Sequence, residues 1–256
     1  MVDKAFSTLV PSISQSVPGC PQPLILKYIR DAAIRACERT LFWRWVQPTY
    51  SLTPGVFEYG YNKPDNTDVH IVFAAIMNGT PLERLILEDA ITKYPQWADA
   101  YSGLDPDTMW SSDASSVFDA NEFNVAAFNS GNTFVVPDTA YADGSEPRSV
   151  TQINPDKYLV LPLPDNKKPY VMRMFYALKP KRTATSMDSV VMDELEDMIV
   201  HGALQNLLVM PNVAWKDREL ATYHAKQFLY YTSDRRARSN FSNVRGNLAV
   251  VGPKFA

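Results

Sequence analysis

The sequence predicts an α+β protein in which N- and C-terminal helices form a helical domain, a β-rich insert lies between them, and an extended C-terminal arm follows. Three observations carry this reading. Apolar residues recur at three- and four-residue steps near both ends of the chain. The middle holds runs of β-branched and aromatic residues bounded by Pro, Asn and Asp. After Tyr231 the periodicity stops and basic residues accumulate. The expected boundaries are 1–42 with 185–231 for the helical domain, 43–184 for the insert and 232–256 for the arm.

The first helix is expected from Pro21 to about Leu41. Proline suits a first turn because its missing N–H has no partner there in any case. Ile25, Ile29, Ala32, Ala33, Ala36 and Cys37 form the apolar stripe, and Lys27, Arg30, Asp31, Arg35 and Glu38 fill the other face. The second helix is expected from about Asp188 to Met210, stopped by Pro211. Its stripe is Val191, Leu195, Met198, Ile199, Leu207 and Leu208, and Asp188, Asp193 and Glu194 complement the dipole at its start. The third, about Asp217 to Tyr231, would pack through Leu220, Ala221, Ala225, Phe228 and Tyr231.

In the insert, Val69–Met77, Tyr158–Leu163 and Pro169–Leu178 read as strands. Tyr170, Met172, Met174 and Tyr176 alternate with Val171, Arg173, Phe175 and Ala177, as on a strand with two different faces. Thr80–Glu88 reads as a strand passing into a helical turn near Tyr94. The stretch from Ser111 to Val150 is polar and weakly periodic, a long excursion with one or two short strands.

Charge is unevenly distributed. From Thr232 to Ala256, Arg235, Arg236, Arg238, Arg245 and Lys254 face Asp234 alone, which gives this segment +4 and leaves −7 on the rest of a chain whose total is −3. An acidic body with a basic tail points to a separate partner for the tail. Phe241, Val244, Leu248, Val250, Val251 and Phe255 interrupt the tail, more apolar anchors than a merely solvating segment needs. No run of eighteen apolar residues and no export signal pattern occurs, so a soluble protein made in a cytoplasm is expected.

Signs of catalysis are few. The sequence has no G-x-x-x-x-G-K-[ST] loop, no G-x-G-x-x-G after a strand and no G-x-S-x-G elbow. Cys20 and Cys37 are too few for a disulfide framework or an unaided zinc site, and Cys37 should be a buried thiol. His70, His201 and His224 lack ligand spacing and read as surface or core-edge residues. Asp193, Glu194, Glu196 and Asp197 spread over an exposed helical side and read as a solvated face. Asp105-Pro-Asp107 lacks the ligand density of a calcium loop and reads as a turn. The aromatic residues fall within strand and helix patterns, where packing explains them more simply than base stacking. No cofactor and no metal are expected.

Two groups of residues carry a resemblance. Val17-Pro-Gly-Cys-Pro-Gln-Pro-Leu, then Ile29-Arg-Asp-Ala-Ala-Ile-Arg-Ala-Cys-Glu-Arg-Thr and Trp43-Arg form the first. Ala177-Leu-Lys-Pro-Lys-Arg-Thr-Ala-Thr, then Gly202-Ala-Leu-Gln-Asn-Leu-Leu-Val-Met-Pro and Trp215 form the second, with a weaker match at the turn Tyr94-Pro-Gln-Trp97. Together they resemble the head-to-tail adaptors of tailed bacteriophages, the connectors similar to tail tubular protein A. The likeness spans the first 45 or so residues and the last third, and the polar excursion is longer than the pattern.

The resemblance implies a non-enzymatic virion protein of the neck, a homo-oligomeric ring, usually twelve-fold, that joins the portal protein to tail or nozzle proteins. Its helical part would dock on the portal and its β-rich part face the tail. Genomic DNA would pass through the lumen without sequence-specific binding, as an acidic body would favour, and no membrane is involved. The arm is the expected portal anchor, through Arg235, Arg236, Arg238, Phe241, Leu248, Val251 and Phe255. Another neck or tail-tube protein, or a phage-encoded hydrolase, are the alternatives.

Overall fold

A computed structural model describes residues 2–56, 58–94 and 146–240. The protein contains both helices and sheets. It divides into two compact units, one of residues 1–44, 65–67 and 178–256, the other of 45–64 and 68–177. The second boundary lies at 177/178, seven residues before the expected one. Leu178 donates its N–H to Trp43 O, Lys179 pairs with Glu38 and Lys181 donates to Asn66 O, so this stretch belongs with the helices.

The helical unit begins with β1 (Asp3–Ala5), which pairs antiparallel with β11 (Ser186–Asp188), Lys4 opposite Met187. A short 3-10 turn (Phe6–Leu9) and α1 (Val10–Ser14) lead to α2 (Gln22–Thr40), where Pro23 sits in the first turn. Leu41 ends α2 in the left-handed region, at φ 53°, with its N–H on Cys37 O. α4 (Ser189–Leu207) starts at Asp188, whose carboxylate accepts the N–H of Val191 at 3.2 Å. α5 (Arg218–Asn240) starts the same way, with Asp217 accepting from Leu220 N at 3.0 Å.

These helices meet at one crossing. A Cβ placed on Gly202 of α4 would lie 2.9 Å from the Phe228 ring of α5 and 3.1 Å from Ala32 Cβ of α2, so glycine sets the closeness of the approach. The guanidinium groups of Arg35 and Arg39 lie over the Phe228 ring, and Arg35 also donates to Gly202 O at 3.2 Å. Cys37 is fully buried in this core, and burial pushes its thiol up to about 12.

The third helix runs nine residues past its expected end at Tyr231, so residues 232–240 are helix and not an extended arm. The reason lies in the packing. Ser239 is buried and donates its hydroxyl to Leu41 O at 3.0 Å, and Arg44 donates to Ser239 O at 2.5 Å. Arg235 pairs with Glu194 of α4, and Arg238 with Asp234 one turn back. No Gly or Pro occurs from Asp217 to Asn240 to interrupt the helix. A local pattern of apolar residues ends at Tyr231, whereas the tertiary anchors do not.

The other unit is built on two sheets. One has the order β2 (Arg44–Val46), β10 (Val171–Pro180), β5 (Thr67–Met77), β6 (Thr80–Pro81), with β3 (Tyr50–Ser51) also on β10. The other runs β4 (Glu58–Gly60), β9 (Lys157–Leu161), β8 (Ser149–Gln152), β7 (Glu83–Leu85), with β7 and β8 parallel. Along β10, Met172, Met174 and Tyr176 are buried while Val171 and Arg173 are exposed; from Ala177 onward the alternation gives way to burial. Tyr59, Tyr61, Tyr158 and Tyr176 pack together with ring centroids 4.8–5.8 Å apart. α3 (Leu87–Lys93) places Ala90 against Leu159 and Leu161. Residues 111–145 of the polar excursion, Asp105-Pro-Asp107 and Pro95–Trp97 lie outside the described residues.

Candidate assembly surface on the C-terminal helix

Successive residues of an α-helix point about 100° apart, and on α5 this separates two faces. Ala221, His224, Phe228 and Ser239 are buried. On the opposite side Tyr223, Lys226, Tyr230, Ser233 and Ala237 follow at alternating steps of three and four, all exposed. Tyr223 is 51% and Tyr230 66% exposed, and Leu229 beside them is 56% exposed. Leu220, expected on the packing face, is 36% exposed, because its position lies a quarter-turn from Ala221 toward the rim. A helix with large apolar groups on the side away from its core has surface for a second contact.

The arginines expected to act together are dispersed by the helix. Arg235 turns inward and is committed to Glu194, and Arg238 is committed to Asp234. Arg236 is exposed beside Leu229 and, among the described residues, pairs with no carboxylate. Phe241, Leu248, Val251 and Phe255 lie outside the described residues, as do Val244, Val250, Arg245 and Lys254.

The acidic residues of α4 are exposed except for the half-buried Glu196. Lys4 bridges Asp193 at 2.7 Å and Glu196 at 3.1 Å, which fixes β1 against the helix. Asp197 points outward with the strongly exposed Val190 and, among the described residues, has no ion-pair partner.

One relationship has no sequence signal: His201 and His224, 23 residues apart, approach through ring nitrogens between α4 and α5. The only clue is that both fall on helices, and their meeting depends on a hairpin register that periodicity does not supply. Between α2 and the end of α4 an open groove of about 700 Å³ is lined by residues including Asp31, Arg35, Glu38, Arg182 and Met210. Its charges balance, and Arg35 is engaged with Gly202 and Phe228.

No protein-family model matches the chain, and no curated protein matches it. Chemistry must therefore be read from the side chains themselves. Among the described residues no group of three or more His, Cys, Asp or Glu is arranged to hold a metal ion. No described helix is long and apolar enough to cross a membrane. The outer face of α5, with Tyr223 and Tyr230, is the surface most suited to recognition.

Proposed function

We propose that this chain is a structural head-to-tail adaptor of a tailed-phage virion, a ring that joins the portal to the tail and encloses the DNA path. In this reading the helical unit is the docking domain, the strands of the other unit form a tail-facing insert, and residues after Asn240 are the portal-anchoring arm. The protein acts in the virion neck without cofactor or catalysis, with portal, tail or nozzle proteins and further copies of itself as partners.

The observation that supports it best is the outer face of α5. Aromatic and aliphatic groups recur there on a helix whose core side is already filled by Ala221, His224 and Phe228. Tyrosines at this spacing are suited to protein contact, giving large area at low entropic cost. The segments that carry the resemblance also meet in space, since Ala32 lies in Ile29–Thr40 of the first group and Gly202 lies in the second.

Mass photometry of the full chain mixed with portal tests the reading. The expected result is a stoichiometric complex well above portal alone, seen as a ring by electron microscopy. Absence of such a complex across a range of salt and protein concentrations overturns it.

A further inference from the structure

We infer that a pocket beside Arg173, on the outer face of the five-stranded sheet, is the docking site for residues 95–145 of the same chain, which lie outside the described residues. A phenylalanine ring of that segment, Phe118 or Phe123, fills the pocket, and the adjoining carboxylate pairs with Arg173. Nothing in this depends on the adaptor reading.

The pocket is ready-made. Ile76, Val171 and Phe175 give it apolar walls, Thr49, Asn78 and Gly79 complete them, and the space measures about 270 Å³. That is below the ~300–1,000 Å³ of small-molecule sites and suits one or two side chains. The turn at Asn78 and Gly79 is fastened to β10. Asn78 donates its N–H to Val171 O at 2.9 Å and its side-chain amide to Pro169 O at 3.2 Å, and its Oδ1 accepts from Val171 N at 2.9 Å. A wall held in place this way loses little freedom on binding. Val171 is 40% exposed, and the bond from Gln47 N–H to Met174 O sets Val46, 51% exposed, beside Phe175. Arg173 is exposed next to these groups and, among the described residues, pairs with no carboxylate.

Charge and chain path name the occupant. Residues 95–145 hold eight Asp and Glu and not one Lys or Arg, the opposite sign to Arg173. In Phe118-Asp119 and Glu122-Phe123 a ring stands next to a carboxylate, which matches apolar walls beside a guanidinium. Both ends of the segment are held on this unit. The hydroxyl of Tyr94 meets Ser149 Oγ at 3.2 Å, and Glu146, the first residue after the segment, pairs with Lys168 at 2.8 Å. Lys168 precedes Val171 by three residues, and 23 residues separate Phe123 from Glu146. At about 3.3 Å per residue that length is ample for the path back from the pocket. Tethered at both ends, the segment meets its own pocket at an effective concentration on the order of millimolar, which a second copy in dilute solution does not match.

Amide hydrogen exchange on the full chain tests this. Amides of residues 95–145 should exchange more slowly than in a synthetic peptide of the same sequence. Arg173→Glu should speed them roughly tenfold, with far-UV circular dichroism and melting temperature unchanged. Adding Asp119→Arg and Glu122→Arg to the Arg173→Glu chain should restore most of the protection. A wild-type segment that exchanges as fast as the peptide, an Arg173→Glu variant that exchanges like wild type, or failure of the charge swap to restore protection overturns the inference. Carbodiimide cross-linking of an Arg173→Lys variant then separates one chain from two. In an equal mixture of unlabelled and heavy-isotope-labelled protein, the new amide at position 173 should reach a carboxylate within 95–145 and join residues of one isotopic type. Mixed-isotope products would assign the pocket to a neighbouring copy and exclude docking within the chain, and an amide formed only outside 95–145 would exclude the segment altogether.

Discussion

Nδ1 of His201 lies 2.7 Å from Nδ1 of His224, so that α4 and α5 share one proton between two imidazoles. One ring must donate and the other accept, which requires at least one neutral histidine. The ring of His201 stacks on Tyr231 at 5.6 Å, and Tyr223 meets it edge-on. Burial lowers both histidines from the ordinary value. Asp197 opposes the shift at His201, whereas His201 adds to it at His224.

Acid should therefore loosen the α4–α5 pair. A depressed folded pKa makes the histidine contribution complete above about pH 6.5, the unfolded value, and lost progressively as pH falls through the folded values. Melting temperature followed from about pH 7.5 to about pH 5 should fall more steeply for the wild-type chain than for His224→Gln. Parallel curves would show that the pair carries no proton linkage.

Gly202→Ala should destabilise the helical unit even though alanine is the better helix former. The helix preference favours alanine by about 1 kcal/mol, but its Cβ would stand 2.9 Å from the buried Phe228 ring and 3.1 Å from Ala32. Overpacking of this kind costs about 1–3 kcal/mol. Urea denaturation should show a net loss, and Phe228→Leu in the same chain should return part of it. A Gly202→Ala protein more stable than wild type would mean that the helices separate at little cost.

Truncation separates helix from arm. Removing residues 241–256 should leave helicity and melting temperature nearly unchanged while weakening portal binding. Removing 232–256 should lower helical circular dichroism and also cost the Ser239–Leu41, Arg44–Ser239 and Arg235–Glu194 contacts. Those contacts together amount to roughly 2–4 kcal/mol at about 1 kcal/mol per hydrogen bond and less for the ion pair. Equal stability of the two truncations would count against anchoring of the last turns of α5.

The two thiols should react very differently. Cys20 is partly exposed and burial raises its thiol only in part, whereas Cys37 is fully buried and pushed up to about 12. Ellman's reagent should titrate one thiol in the native protein and two in denaturant. Rapid native labelling of both would place Cys37 outside a packed core.

Helices were legible where their signals are local. The stripe Ile25, Ile29, Ala32, Ala33 and its leading prolines placed α2 within a residue at either end, and Asp188 marked the start of α4. The long strands β5 and β10 were legible from their β-branched and aromatic runs, and shifted by only two residues at their ends. Strands such as β1, β3 and β11 escaped because two or three residues carry no periodicity. The end of α5 escaped because Ser239 gains its anchor from Leu41 and Arg44, about 200 positions earlier in the chain. Candidate surfaces fared similarly. Arg235, Arg236 and Arg238 are adjacent in sequence, yet helical geometry points them in three directions and ion pairs occupy two of them.

The helical unit draws on both ends of the chain, and this sets an order of events at the ribosome. α2 emerges with its stripe of Ile25, Ile29, Ala32 and Ala33 uncovered, and its partners α4 and α5 follow only after about 150 further residues. At typical synthesis rates that interval lasts roughly 10–30 s. The strands of residues 45–177 leave the tunnel within it and can pair before the helices meet. Nascent chains stalled before Ser189 should therefore recruit hydrophobic-binding chaperones through α2, and release them once Phe228 has emerged to cover Ala32 and Gly202.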